Sequence, residues 1–403
     1  MKRVFFIAAR LPFPLGGGPD FRTWMIADAL AETGPVGVFG ISYRAPEPPP
    51  RRGVAWWGTA SKSAAIVHNE QGLGDGTWLK RPDWRPSAWY YHPDVERELA
   101  DAMAAFQPDV VVIEQLGLAE YLPVARRHAP IVVLNNHNVE TDLQRQLVDA
   151  EASPVEKMVR RQFAARTELL ERETVAGVDQ VWVCSEVDRS LLRELFEVGS
   201  EVVPNVVPVD DYRAIYDGRD DSAPVGPALL YPAQFAYLPS ENAAVFLITE
   251  VLPLVRERQP GATAVLAGRE PGQRMLAAAH GQPAVTVTGA VPSMHPFFEA
   301  ADLLIIPLRE GGGTRLKALE GFACGLPVIS TAKGVEGIEA ADGVHYLGAE
   351  SAEEFADAIL QASDPAIVAP IRRAAYDLVT EHYSPVAVGR TVQRALAAVG
   401  TRP

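Results

Sequence analysis

From Pro307 to Thr331 the chain reads PLREGGGTRLKALEGFACGLPVIST. An apolar strand leads into three glycines, and a helix is expected to start near Thr314. Glycines let backbone approach a ligand closely. The free N–H groups and dipole at a helix start favour an anion. Arg315 and Lys317 add formal positive charge at that end. Basic side chains in a first turn oppose the dipole, so stability alone does not account for them. A bound diphosphate removes the conflict. Glu320, three residues past Lys317, is placed to accept from sugar or ribose hydroxyls. Read as surface chemistry alone, Lys317 and Glu320 are an i,i+3 pair worth roughly 0.2–0.5 kcal/mol, and the glycines a tight turn. Glycines, two cations and a carboxylate together at a strand-to-helix transition favour the anion site.

Alternating strands and helices must carry this segment. Val4–Ala9, Val36–Ile41, Val110–Glu114 and Ile131–Leu134 are short apolar runs separated by helical stretches, and Val181–Cys184 follows a long charged helix over about Ser153–Gly177. A second series has strands at Leu229–Tyr231, Ala264–Ala267, Val285–Thr288, Leu303–Pro307 and Leu326–Ser330. Such alternation implies parallel, doubly wound sheets. Between about Pro46 and His92 the pattern lapses into a stretch with five of the seven tryptophans. It reads either as an insertion packing its own aromatics or as a surface for an acceptor. The Pro-, Asp- and Gly-rich stretch from Val206 to Pro227 reads as a linker.

With 403 residues, two domains are the natural expectation. A net charge of −14 argues against a nucleic-acid partner, which needs clustered Lys and Arg. Cys184 and Cys324 are the only cysteines, which excludes a disulfide framework and suggests a reducing compartment. Met1-Lys2-Arg3 followed by the apolar Val4–Ala9 superficially suggests a signal peptide, but the short run leads into Arg10 and a Pro/Gly loop and is read as a first strand. No uninterrupted apolar run reaches the ~20 residues needed to span a bilayer, so no transmembrane segment is expected.

The Gly311–Val328 segment resembles the donor-binding signature of retaining glycosyltransferase family 4, in the branch that reads Gly-Gly-Gly-Thr-Arg-x-Lys-x-Leu-Glu. The resemblance extends to Tyr237–Asn242, Gly268-Arg269, Val287–Val291, the Gly16-Gly17-Gly18 loop after the first strand, and Asn136-His137-Asn138-Val139-Glu140. It implies the GT-B fold, an α/β architecture of two Rossmann-like, doubly wound parallel-sheet domains facing across a cleft. Residues 1–205 would form the acceptor domain and 206–384 the nucleotide-sugar domain, with a last helix over 385–399 packing back on the first.

By resemblance, Arg315 and Lys317 hold the donor diphosphate with Gly312, Gly313 and Thr314, and Glu320 contacts ribose. Gly17 and Gly18 approach the donor, Thr288 and Gly289 face the base, and His137 lies beside the reacting sugar. The commoner family motif has a second glutamate eight residues before Glu320. Here that position is Gly312, and Glu310 is the candidate replacement. His137 also follows a strand end, where open α/β sheets place ligands; the other histidines have no comparable setting.

The implied reaction is transfer of a hexosyl group from a UDP- or GDP-sugar to a small-molecule, glycan or lipid-linked acceptor. Anomeric configuration is retained, with no metal and no cofactor beyond the nucleotide sugar. The expected setting is the cytoplasm, including the inner membrane surface. Competing readings are a nucleotide-sugar epimerase or phosphorylase on this fold, and a non-catalytic nucleotide-sugar binding protein.

Overall fold

The computed structural model describes residues 2–12, 18–32, 34–43, 54–61, 76–151, 153–219, 226–312 and 315–399. Of the expected site, Gly17, Gly313 and Thr314 lie outside them. The chain forms two compact units, residues 1–206 with 385–403, and residues 207–384.

The first unit is built on seven parallel strands: β1 (Val4–Ala8), β2 (Val36–Gly40), β3 (Val54–Thr59), β4 (Val110–Glu114), β5 (Ile131–Asn135), β6 (Gln180–Val183) and β7 (Glu201–Val202). Their order is β3-β2-β1-β4-β5-β6-β7. β1, β2 and β4 are buried from end to end, as strands covered by helices on both faces require. The order reverses between β1 and β4, and such a switch point opens a crevice at the strands' carboxyl ends.

β3 corrects the sequence reading, which treated its segment as irregular. It is an edge strand with a register shift between Val36 and Gly37, so it lacks the fully apolar signature of its neighbours. Trp56 on β3 packs against Phe5 and Phe39, and Trp57 meets Trp24 edge-on. Farther along the same stretch, Trp78, Trp84 and Trp89 gather on Phe163 of the Pro154–Gly177 helix, with Arg166 over two of the rings. The described tryptophans are therefore largely spent on packing.

The terminal helix, Pro385–Ala398, belongs to this first unit. Val388, Val392, Ala395 and Leu396 enter a core with Trp24, Ile26 and Val112, and Lys2 donates to the carbonyls of Leu396 and Val399.

The second unit has six parallel strands: β8 (Ala228–Pro232), β9 (Thr263–Ala267), β10 (Val285–Val287), β11 (Leu303–Ile306), β12 (Val328–Ser330) and β13 (Leu347–Gly348). Their order, β10-β9-β8-β11-β12-β13, switches between β8 and β11. The continuous helical stretch Leu238–Arg258 contains a π turn at Leu247–Val251, next to Pro253, which has no N–H for the regular ladder. This stretch is long and apolar enough to cross a membrane. Its Ala244, Leu247, Ile248, Val251 and Val255 are instead buried in the sheet's core.

Candidate functional site

In the second unit, the glycine loop leaves β11 at the switch point and ends at the helix Leu316–Ala323. That helix starts two residues later than expected. Arg315 is its N-cap, with extended backbone (φ −82°, ψ 91°), rather than a residue of the first turn. The reason lies in its side chain. Nη1 donates to the carbonyl of Gly312 and Nε to that of Lys333 at 3.3 Å, so the guanidinium braces the loop and holds its own backbone off the helical path. Arg315 is only 7% exposed, and its buried Nη2 has no acceptor among the described residues. A buried guanidinium donor left unpaired is costly.

Lys317, half-buried in the first turn, has no carboxylate at ion-pair distance among the described residues. Its Nζ stands 4.5 Å from the centroid of the Tyr231 ring. Burial pushes its amine down to about 7; the Arg315 guanidinium adds repulsion, and Glu320 partly opposes both. Glu320 accepts from the Tyr212 hydroxyl at 2.9 Å. Burial raises its carboxyl above the usual range, against the pull of Tyr212 and Lys317. Glu310 lies in the loop after β11 and adds its charge to the burial that raises the Tyr231 phenol.

The glycines here have steric reasons. A Cβ on Gly311 (φ 117°) would lie 2.8 Å from the Tyr237 hydroxyl and within 3.2 Å of the Arg315 guanidinium. At Gly268 (φ 152°) it would fall 1.7 Å from the Ala233 carbonyl. Thr288 joins the ends of β9 and β10: its hydroxyl accepts from the Gly268 N–H and donates to the Gly289 carbonyl. Gly289, at φ 68°, faces open space. Arg315, Lys317 and Glu320 thus share one helix start, and Thr288 and Gly289 lie at the carboxyl ends of the same sheet. Tyr212 and Tyr231, which position the charged groups, carried no distinguishing signal in the sequence.

In the first unit, Gly18 opens the helix Gly18–Ala31 after β1. His137 follows β5, and its Nε2 lies 2.9 Å from Oε2 of Glu114, the last residue of β4. Register pairs Glu114 with Asn135, whose amide nitrogen reaches both carboxylate oxygens at 3.1 Å. Thr23 donates its hydroxyl to the same carboxylate at 3.0 Å. Glu114 is 2% and the His137 side chain 12% exposed. Sequence reasoning passed over Glu114, although a charge closing the run Val-Val-Val-Ile was a visible anomaly.

Beyond His137, the helix Glu140–Ala150 has no capping side chain of its own. Glu171, from the Pro154–Gly177 helix, takes that role and accepts from the backbone N–H groups of Glu140 and Thr141. Burial carries the Glu171 carboxyl up to about 7, with the Thr141 hydrogen bonds opposing. Glu140, held by Asn138, is likewise raised by burial.

Residues 226–364 match the family described as glycosyl transferases group 1. Among curated proteins, none matches the chain in sequence. Solved structures resemble it over nearly its whole length. Sucrose-phosphate synthase from Thermosynechococcus elongatus superposes with a TM-score of 0.73 at 16% identity, covering 98% of each chain. HepE from Anabaena, solved with UDP and glucose, gives 0.66 at 14%, covering 99% of this chain and 100% of its own. A UDP-forming α,α-trehalose-phosphate synthase from Burkholderia xenovorans gives 0.67 at 13%, with both chains fully covered. The fold is GT-B. At these identities the likeness concerns architecture, and chemistry must be argued from the residues.

Proposed function

We propose that the chain is a retaining, metal-independent glycosyltransferase of family 4 that takes a hexosyl group from a UDP- or GDP-sugar. One observation carries this reading. Among the described residues, a buried guanidinium nitrogen without an acceptor and a half-buried lysine with no carboxylate at ion-pair distance meet a glycine loop at a helix start. Leaving two cations so disposed is costly unless an anion completes the site. A nucleoside diphosphate supplies one.

As the bond between the anomeric carbon and the diphosphate breaks, negative charge develops on the leaving oxygen. Arg315, Lys317 and the helix N–H groups are placed to stabilise it. They supply the positive charge that a divalent ion provides in other transferases. Glu320, held by Tyr212, accepts from ribose hydroxyls, and the backbone around Thr288 and Gly289 faces the base. His137 contacts the sugar, and Glu310 takes the place of the first family glutamate. Transfer of the sugar to an acceptor hydroxyl releases the nucleoside diphosphate. The UDP seen in HepE and the UDP-forming activity of the trehalose-phosphate synthase support a uridine nucleotide.

Calorimetry with UDP and GDP, and hydrolysis of UDP-glucose and GDP-mannose with and without EDTA, test the reading. Micromolar binding with slow, EDTA-insensitive hydrolysis is the expected result. Binding without turnover would favour a non-catalytic binding protein, and no binding to any nucleoside diphosphate would overturn the assignment.

A further inference from the structure

We infer that Glu114 is a positioning residue that fixes the tautomer of His137, and that the choice is imposed by a buried arginine two links away. Arg22, on the helix after β1, is 1% exposed. A guanidinium can only donate. Its Nη2 donates at 2.6 Å to Asn135 Oδ1, while Nη1 donates to the Val203 carbonyl and Asn205 Oδ1. The Asn135 amide is thereby oriented: its oxygen faces Arg22, and its nitrogen must donate to Glu114.

Thr23 donates to Glu114 as well, so among the described residues every hydrogen-bond partner of the carboxylate except the imidazole is a donor. A carboxylate receiving these bonds acts as an acceptor, and the 2.9 Å contact requires the proton on His137 Nε2. In the neutral ring Nδ1 is then a bare acceptor. Glu140, the other carboxylate acting on this imidazole, is occupied by Asn138.

The consequence rests on the transferase reading. His137 meets the sugar ligand through Nδ1, accepting a hydrogen bond from a hydroxyl rather than donating one to it. Specificity follows, because a sugar without that hydroxyl leaves Nδ1 unpaired. Nothing in the 3.6- or 2-residue periodicities announces this arrangement. It needs β4 and β5 in register and the first helix lying over their ends.

The test uses the full chain with 15N-labelled histidine. At pH 8, long-range 1H–15N spectra of the wild-type chain should show His137 with a protonated Nε2 and a bare Nδ1. Glu114→Gln keeps the volume but offers one acceptor oxygen to three donors, so the ring should pass to a mixture of tautomers. Hydrolysis of UDP-glucose should then fall roughly 10²-fold in kcat, a common scale for displacing a catalytic hydrogen-bonding group, with little change in UDP affinity. Thr23→Val, which removes a single donor, should shift the Nε2 resonance even if the glutamine variant does not fold. An Nδ1–H tautomer in the wild type, or a ring unaffected by both substitutions, would overturn the inference. A wild-type chain that neither binds UDP nor hydrolyses UDP-glucose would sink the transferase reading, while the spectra still decide the role of Glu114.

Discussion

Lys317 concentrates the electrostatics of the site in one amine. Burial and Arg315 hold it near 7 against an ordinary value of 10.5, so the empty site favours the neutral form above about pH 7. A diphosphate reverses that preference. Binding of UDP at pH 8 should therefore take up a proton, and at pH 6 it should not. Calorimetry in two buffers of different ionisation enthalpy reads this directly; proton release at pH 8 would contradict it. The stability consequence has a definite sign. An amine with a depressed folded pKa costs stability while charged, and the cost fades as pH rises from about 7 towards 10.5. In the empty protein Lys317→Met should stabilise at pH 6, and the gain should shrink on going to pH 9. Lys317→Ala should weaken UDP binding by roughly 1.5–3 kcal/mol, the range for a hydrogen bond to a charged group.

Elements place these side chains, and single backbone positions set the elements. Gly268 ends β9 at φ 152°, where a methyl group would overlap the Ala233 carbonyl. Gly268→Ala should destabilise by at least the ~1–3 kcal/mol of a strained backbone residue, and the clash adds to it. Urea unfolding checks this; a loss below about 0.5 kcal/mol would show the strand end to be free to move. The helix behind His137 depends on Glu171 for its cap. Glu171→Ala leaves two backbone donors of Glu140–Ala150 unpaired and should cost about 1–3 kcal/mol. Hydrogen exchange at Glu140 and Thr141 should rise before exchange in β5 does.

At the scale of the whole molecule, the chain returns to its first unit to complete that core. Val388, Val392, Ala395 and Leu396 lie against Trp24, Met25 and Ile26. Removing residues 385–403 uncovers these apolar groups, each worth about 1.5–3 kcal/mol when buried. The truncated chain should show a lower melting transition for the first unit, with the UDP-stabilised transition of the second unit preserved. UDP at a hundred times its Kd should stabilise that second transition by about 2.7 kcal/mol. Equal loss in both transitions would mean that the two cores do not melt independently.

The linear order of residues determined the fold class, because apolar runs alternating with helical stretches admit few architectures besides stacked parallel sheets. It also marked the Arg315–Glu320 segment, whose members are neighbours in sequence and obey local rules of helix ends. Tertiary structure decided the rest. β3 escaped notice because an edge strand has no continuous apolar signature, and Arg315 moved from helix to cap because its partners are loop carbonyls. Glu114, Asn135, Arg22 and His137 come from three separate stretches of chain. Only strand register and helix packing bring their polar atoms within 3.1 Å of one another, and hydrogen-bond polarity is a property of that contact, not of any one residue.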